Sequence, residues 1–410
     1  MWLYNLGISL CEALARLASP LNPKLRAMLD GRKGMEERMQ SEIGDNDRII
    51  WIHVASLGDF EQGRPLVDYI HENYPDHKIL LTFFSPSGYE VRKNYPNADY
   101  VAYIPIDTKR NVRRFLDIAK PEIAIFVKYE FWLNMLTELR ARGIRTFIAS
   151  AIFRRNSIFF SPFGWWWRKA LHTFETLFVQ DENSKSLLAE LGFENVVVAG
   201  DTRFDRVLAI AEKAEKVDVV EQFKGDKSLF VAGSTWGADE ECLLPLINSN
   251  PDIKFVIAPH EISEERIAKL EQTIQGGVAR YTTCAERNLA DKQVLILDTM
   301  GLLSRTYGSA DWAYIGGGFG AGIHNTLEAA VYGVPIAFGT NYHKFKEAHD
   351  LISLGVAHSV RNSEELQEWF APLRNDHAQL HKIKERAQEY TSHHRGATVK
   401  IVNSIFTRRY

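Results

Sequence analysis

Apolar positions follow two different periods along this chain. At the N-terminus Leu3, Leu6, Leu10, Leu14 and Leu17 recur at helical spacing, with Ser9, Glu12, Arg16 and Ser19 opposite them. That spacing predicts an amphipathic helix. Beyond it, short apolar runs alternate with longer mixed stretches, the pattern of a parallel sheet covered by helices on both faces. The runs Arg48–Ala55, Lys78–Phe84, Tyr100–Ile104, Ile123–Val127, Arg145–Ser150, Thr176–Gln180 and Val196–Ala199 predict the strands of one domain. Ser228–Ala232, Lys254–Ala258, Gln293–Leu297, Trp312–Ile315 and Ile336–Phe338 predict those of a second. The charged stretch between them has few large apolar residues and is expected to link the two. The expected segments are an amphipathic helix over 1–25, domains over 26–205 and 227–380, a linker over 206–226, and a C-terminal helix over 381–410 that crosses back. The predicted class is α/β, with two doubly wound domains that leave a ligand cleft at the carboxyl ends of their strands.

At 410 residues the chain is long enough for two such domains, by the rule of roughly 100–200 residues each. A net charge of −3 offers no basic field for a nucleic acid. Three widely spaced cysteines, Cys11, Cys242 and Cys284, point to a reducing compartment and no disulfide framework. With no C-x-x-C or H-E-x-x-H motif, no metal site is expected.

Candidate chemistry gathers in the loops that follow the predicted strands. The densest is Trp312–Ala330, where an apolar run enters Gly316-Gly317-Gly318 and then Gly320, Gly322, His324, Asn325 and Glu328. Glycines admit close backbone approach, and a following helix would direct its N–H groups and dipole at an anion. The bland alternative makes Asn325 an N-cap and Glu328 its capping-box partner. A nicotinamide site fits poorly, because only the looser Gly316, Gly318, Ala321 spacing is present. In the first domain Asp59 follows a strand at a helix start, either as a cap or as a carboxylate able to take a proton from an attacking hydroxyl. Glu61 is a weaker candidate for that work. Lys128 and Glu130 likewise follow a strand, as a surface ion pair or as site residues. Gly233-Ser234-Thr235, Pro259-His260 and Asp298-Thr-Met300-Gly301 stand after strands of the second domain. As a set these loops suggest a nucleotide pocket.

Taken in order, the motifs resemble those of the 3-deoxy-D-manno-octulosonic acid (Kdo) transferase family, GT-B glycosyltransferases of lipopolysaccharide synthesis. His53-Val-Ala-Ser56-Leu-Gly58-Asp59 is similar to that family's H-x-x-S-x-G-E, Ser85-Pro-Ser87-Gly88 to its T-P-T-G, and Glu130-Phe-Trp132 to its E-[LF]-W. Gly200-Asp-Thr-Arg203-Phe-Asp205 is similar to its G-[NS]-L-K-F-D. The resemblance implies two Rossmann-like domains, an N-terminal one for the acceptor and a C-terminal one for the donor. It also implies transfer of Kdo from CMP-Kdo to a lipid A precursor with inversion, and neither a cofactor nor an active-site metal. Asp59 then takes the place of the general base, with Glu130 as a second catalytic acid. Arg203, Ser234, Thr235, Pro259, His260, Met300, Gly301, Gly316, Gly317, Gly318, His324, Asn325 and Glu328 fall at or beside the CMP-Kdo positions. Ser56, Gly58, Ser85, Ser87, Gly88 and Lys128 fall on the acceptor side.

Three departures stand out. Asp59 replaces a glutamate, Lys128 replaces an acid, and Pro259-His260 lacks the arginine of the family's P-R-H, so phosphate neutralisation is expected from Arg203, His260 and the helix dipole. The leucine helix either packs on the protein or lies in a membrane interface. Phe163-Gly-Trp165-Trp166-Trp167-Arg168-Lys169 favours the interface. The expected location is the cytoplasmic face of the inner membrane, with CMP-Kdo, the lipid A precursor and the membrane surface as partners. The alternatives are a GT-B enzyme for another nucleotide sugar, an epimerase included, and a non-catalytic membrane-bound scaffold that binds a nucleotide sugar.

Overall fold

The computed structural model describes residues 2–286 and 289–407. Met1 and residues 408–410, the outer ends of the two expected terminal segments, lie outside the described residues. Two compact units emerge, one running to Asp205 and resuming at Gly396, the other spanning Arg206–Arg395. In the first unit, strands β1 (Ile49–Val54), β2 (Lys78–Phe83), β3 (Tyr100–Tyr103), β4 (Ile123–Val127), β5 (Arg145–Ala151), β6 (Thr176–Val179) and β7 (Val196–Val198) form one sheet. Its order is β3-β2-β1-β4-β5-β6-β7, and its pairings are parallel. The second unit holds β8 (Leu229–Thr235), β9 (Lys254–Pro259), β10 (Val278–Arg280), β11 (Val294–Ile296), β12 (Trp312–Ile315), β13 (Ile336–Phe338) and β14 (Ala357–Ser359). Its order is β10-β11-β9-β8-β12-β13-β14, again parallel.

The central strands are buried on both faces, which is why they read as unbroken apolar runs. On one face of the first sheet Trp51, Phe126 and Phe115 pack together. On the other, Ile50, Ile52 and Phe60 meet Ile401, Val402 and Ile405 of the terminal helix Ala397–Thr407. Asp205 ties that helix down, its carboxylate accepting the N–H groups of Gly396 at 2.6 Å and Thr398 at 2.7 Å. The aspartate ending the Gly200–Asp205 motif therefore serves as a remote helix cap.

Several expected boundaries move. Residues 206–226 are not a bare linker, because Val217, Val220 and Phe223 enter the second core. Widely spaced apolar residues on a short helix suffice for that. The return to the first unit occurs at Gly396, not near 381, since Ile383 and Ala387 of the helix His377–His393 still pack in the second core. Strands β10 and β14 had no counterpart among the predicted runs. Both lie at sheet edges, with polar Arg280, His358 and Ser359. Edge strands need no continuous apolar run.

The N-terminal helix, Trp2–Ala18, forms as expected, and it faces outward with its leucines. Leu6 is 57% exposed and Leu17 76%. It is seated through other residues: Tyr4 donates to Asp107, Asn5 accepts from Asn134, and the Tyr4 ring meets Trp167 edge-on at 6.2 Å. The leucine helix and the tryptophan segment, distant in sequence, thus meet. Among the described residues no helix is long and apolar enough to cross a membrane.

Candidate active site

In each sheet the strand order reverses beside the unit's first strand, between β1 and β4 and between β8 and β12. Loops at the carboxyl ends diverge at such a point and leave room for a ligand. Asp59 and Lys128 follow β1 and β4; Ser234 and Gly316 stand at the ends of β8 and β12. Backbone strain marks the same places. Of four described non-glycine residues with left-handed φ, Lys128 at 67°, Ser150 at 53° and Ser234 at 53° occupy strand ends, a conformation that surrounding structure must hold in place.

In the first unit Ser56 caps the helix Leu57–Asn73, its hydroxyl accepting the Asp59 N–H at 3.3 Å and donating to Asp59 Oδ2 at 2.7 Å. Asp59 Oδ1 faces Lys128 Nζ at 3.2 Å. Asp59 is thus a first-turn acid held by the Ser56 cap, and its second oxygen confronts a cation. Glu130 is 13% exposed and is fixed by the Trp132 indole N–H at 2.7 Å and by His53 Nε2 at 3.0 Å. The Trp51 indole donates to Thr82 Oγ1 at 2.8 Å, and that hydroxyl lies 2.9 Å from His53 Nδ1. His53 Nδ1 also lies 3.2 Å from Thr82 O, so the ring is held on both its nitrogens. Lys128 is not the ion-pair partner of Glu130; it faces Asp59.

Arg203 lies in the first unit, where its guanidinium grips Asp201 at 2.9 and 2.6 Å. Burial pushes the Asp201 carboxyl up, but Arg203 beside it prevails and holds it below the usual carboxylate range, with Lys128 adding to the effect. An arginine committed to a buried aspartate is a poor source of charge for a phosphate, which corrects the expectation placed on it. Ser85 caps the helix Pro86–Arg92 and meets Ser87 at 3.0 Å. Gly88 is a packing residue, because a Cβ there would stand 2.2 Å from the Phe83 ring. At Gly58 a Cβ would meet nothing closer than 3.8 Å.

In the second unit the glycine run is not the open ring of amides that its sequence suggests. Gly316 N–H donates to Gly233 O, Gly317 N–H to Asp239 Oδ2, and Gly320 and Gly322 N–H to Gly317 O. What the glycines permit is contact: a Cβ at Gly316 would fall 2.2 Å from Ser234 O, and one at Gly318 2.5 Å from Gly339 N. The helix after the run is a single turn, Leu327–Ala330, whose first N–H is accepted by Asn325 Oδ1 at 3.2 Å. So few aligned peptides leave little dipole, and of the capping box that was the bland alternative the Asn325 half forms, while Glu328 bonds the Asn325 amide and Ser304. Asn325 and Glu328 pair with each other, Nδ2 to Oε1 at 3.1 Å, while Ser304 donates to Glu328 Oε2 at 2.6 Å. Thr235 points away, its hydroxyl on Glu240 at 2.8 Å. Met300 and Gly301 lie on an exposed turn after β11, Gly301 at φ 89°.

Sequence reading missed an aromatic stack here. The His260 ring stacks on His324 at 4.3 Å and on Trp236 at 4.8 Å, the Trp236 indole donates to His324 Nε2 at 3.1 Å, and Arg266 covers Trp236 at 5.6 Å. Burial, with His260 alongside, pushes the His324 imidazole down to about 4. Burial lowers His260 as well. Both rings keep their faces and nitrogens for a ligand. Trp236, like Asp239, carries no motif signal; only its place after β8 could have suggested it. Among the described residues no three His, Cys, Asp or Glu side chains converge as a metal would need.

Residues 31–206 match the family model described as 3-deoxy-D-manno-octulosonic-acid transferase (kdotransferase). The 3-deoxy-D-manno-octulosonic acid transferase of Haemophilus influenzae is 24% identical, over 99% of this chain and 98% of its own length. By fold, the chain is similar to UDP-GlcNAc 2-epimerase from Neisseria meningitidis, at TM-score 0.63 and 16% identity over 88% of this chain and all (100%) of that one. Acinetobacter baumannii MurG is similar at TM-score 0.55 and 13% identity, over 88% and 99%. Two parallel, doubly wound units place the fold in the GT-B class. With the family's N-terminal domain matched and a relative aligned nearly end to end, the chain belongs to the 3-deoxy-D-manno-octulosonic acid transferase family and is a glycosyltransferase.

Proposed function

We propose that this enzyme transfers Kdo from CMP-Kdo to a lipid A precursor in lipopolysaccharide synthesis, with inversion and without a metal. The observation that carries the reading is the Asp59 carboxylate at the first unit's switch point, with Lys128 Nζ 3.2 Å away. A lipid hydroxyl attacks the anomeric carbon, its proton passes to Asp59, and the bond to the CMP phosphate breaks with its electrons on phosphate. The attack passes through an oxocarbenium-like state. Lys128 holds an anionic group of the sugar or acceptor, and Glu130, fixed by His53 and Trp132, is the second acid.

In the second unit Glu328 and Asn325 are suited to ribose hydroxyls, and Ser234, His260 and His324 to the nucleotide. The outward leucines and Phe163, 84% exposed, support seating on a membrane, which this reading takes to be the cytoplasmic face of the inner membrane. Mass spectrometry of products from CMP-Kdo and tetra-acylated lipid A precursor tests donor, acceptor and reaction together. Transfer from a UDP-sugar instead, or binding of CMP-Kdo with no transfer to any lipid, would replace this reading by one of its rivals.

A further inference from the structure

The helix Leu133–Ala141 starts directly after Trp132 and has no cap of its own, since Trp132 occupies the N-cap position without a side-chain bond. Its open amides are taken by an aspartate from elsewhere. Asp107, 1% exposed, accepts the Asn134 N–H on Oδ2 at 3.0 Å and the Met135 N–H on Oδ1 at 2.9 Å. The remaining donor to Asp107 comes from the N-terminal helix, the Tyr4 hydroxyl at 2.7 Å. Asn5 acts beside it: Asn134 Nδ2 donates to Asn5 Oδ1 at 2.7 Å and to Asp107 O at 2.5 Å. Burial pushes the Asp107 carboxyl up while these donors pull it down, so each bond matters to a carboxylate with no cation beside it in this network. On the far side of the same turn, Trp132 donates to Glu130.

We propose that Tyr4 and Asn5 are positioning residues for Glu130, acting through Asp107 and the first turn of Leu133–Ala141. The proposal rests on Glu130 taking part in transfer as read above. It assigns the two faces of the N-terminal helix different work. Its leucines are exposed, whereas Tyr4 and Asn5 complete a buried polar network that ends at Asn134, four residues from the acid. Partly satisfied networks of this kind lose their geometry, because a buried acceptor without its donor is costly.

Tyr4→Phe keeps the ring against Trp167 and removes only the donor. Hydrogen exchange over residues 130–136 is expected to quicken about tenfold, in Asn5→Ala as well, whereas Leu10→Gln on the outward face leaves it unchanged. In turnover, Tyr4→Phe is expected to lower kcat about tenfold with KM for CMP-Kdo within about twofold. In a Glu130→Gln background it is expected to cost nothing further. Unchanged exchange over 130–136 in both variants overturns the proposal, as does a loss that adds in full to that of Glu130→Gln. Should the wild type transfer no Kdo, the functional reading falls alone, and the exchange measurement still decides this one.

Discussion

Lys128 Nζ lies 3.2 Å from Asp59 Oδ1, joining the residues that follow β1 and β4 across the point where the sheet order reverses. The lysine reaches this position from a left-handed backbone, φ 67°. A strained cation facing an acid at a switch point is a costly arrangement for a purely structural pair, and it defines the first test.

Lys128→Gly removes the ion pair, worth at most about 1 kcal/mol at this partial exposure, and relieves left-handed strain of about 1 kcal/mol. Thermal melting is therefore expected near wild type, with Lys128→Ala less stable than Lys128→Gly. Transfer is expected to fall at least about tenfold in both. A glycine variant with full turnover would remove Lys128 from the site.

Asp59→Asn keeps the Ser56 contact and the size of the side chain while removing the base. Turnover is expected to drop about 100-fold or more, with CMP-Kdo binding retained in calorimetry, since the residues proposed for the nucleotide belong to the other unit. Near-normal turnover would sink the assignment.

The glycine run separates packing from ligand contact. Gly316→Ala drives a Cβ to 2.2 Å from Ser234 O and is expected to cost about 2 kcal/mol or more. At Gly320 the nearest atom is Gly317 O at 3.8 Å, so Gly320→Ala is expected to melt close to wild type. Chemical denaturation of the pair reads the difference, and equal stability would contradict the close backbone approach described for Gly316.

His324 links stability to pH. Its imidazole is pushed down to about 4 from the ordinary 6.5 by burial, with His260 adding. The unfolded chain therefore takes up the proton first, and stability falls as pH drops from about 6.5 towards about 4, with no contribution above that window. The full shift corresponds to about 3 kcal/mol, reached at the acid end of that window. His324→Asn keeps an acceptor for Trp236 and is expected to flatten this part of the melting profile; parallel profiles would show that His324 does not titrate this way.

The outward leucines give a surface test. Leu10 and Leu14 are 57% and 55% exposed, so changing both to Gln should leave melting unaltered. Each buried leucine contributes about 1.5–3 kcal/mol on insertion, so vesicle sedimentation is expected to weaken at least tenfold. Unchanged sedimentation would assign the stripe to some other contact.

Much of this was legible in the chain. The central strands were, because strands buried on both faces must be apolar throughout, and so was the N-terminal helix, because five leucines share its spacing. The candidate loops were legible as loops, since their residues follow the apolar runs directly. The edge strands β10 and β14 were not, having a solvated side that allows Arg280 and His358. Nor was the weight of Trp236 and Asp239, whose partners His324 and Gly317 lie 88 and 78 residues away.

By itself the sequence determined the two doubly wound units and the order of the family's motifs, because local period and strand-end position are properties of neighbouring residues. Which atoms each candidate meets was decided only by tertiary structure. Folding turned Asp59 toward Lys128 and gave Glu130 to His53 and Trp132. It committed Arg203 to Asp201, gave the Gly316 amide to Gly233 and the Gly317 amide to Asp239, and put the leucine stripe outside by seating Tyr4 and Asn5 within. The pairs of Asp59 with Lys128, Glu130 with His53, Gly317 with Asp239 and Tyr4 with Asp107 join strands and helices far apart in the chain, and no local pattern encodes them.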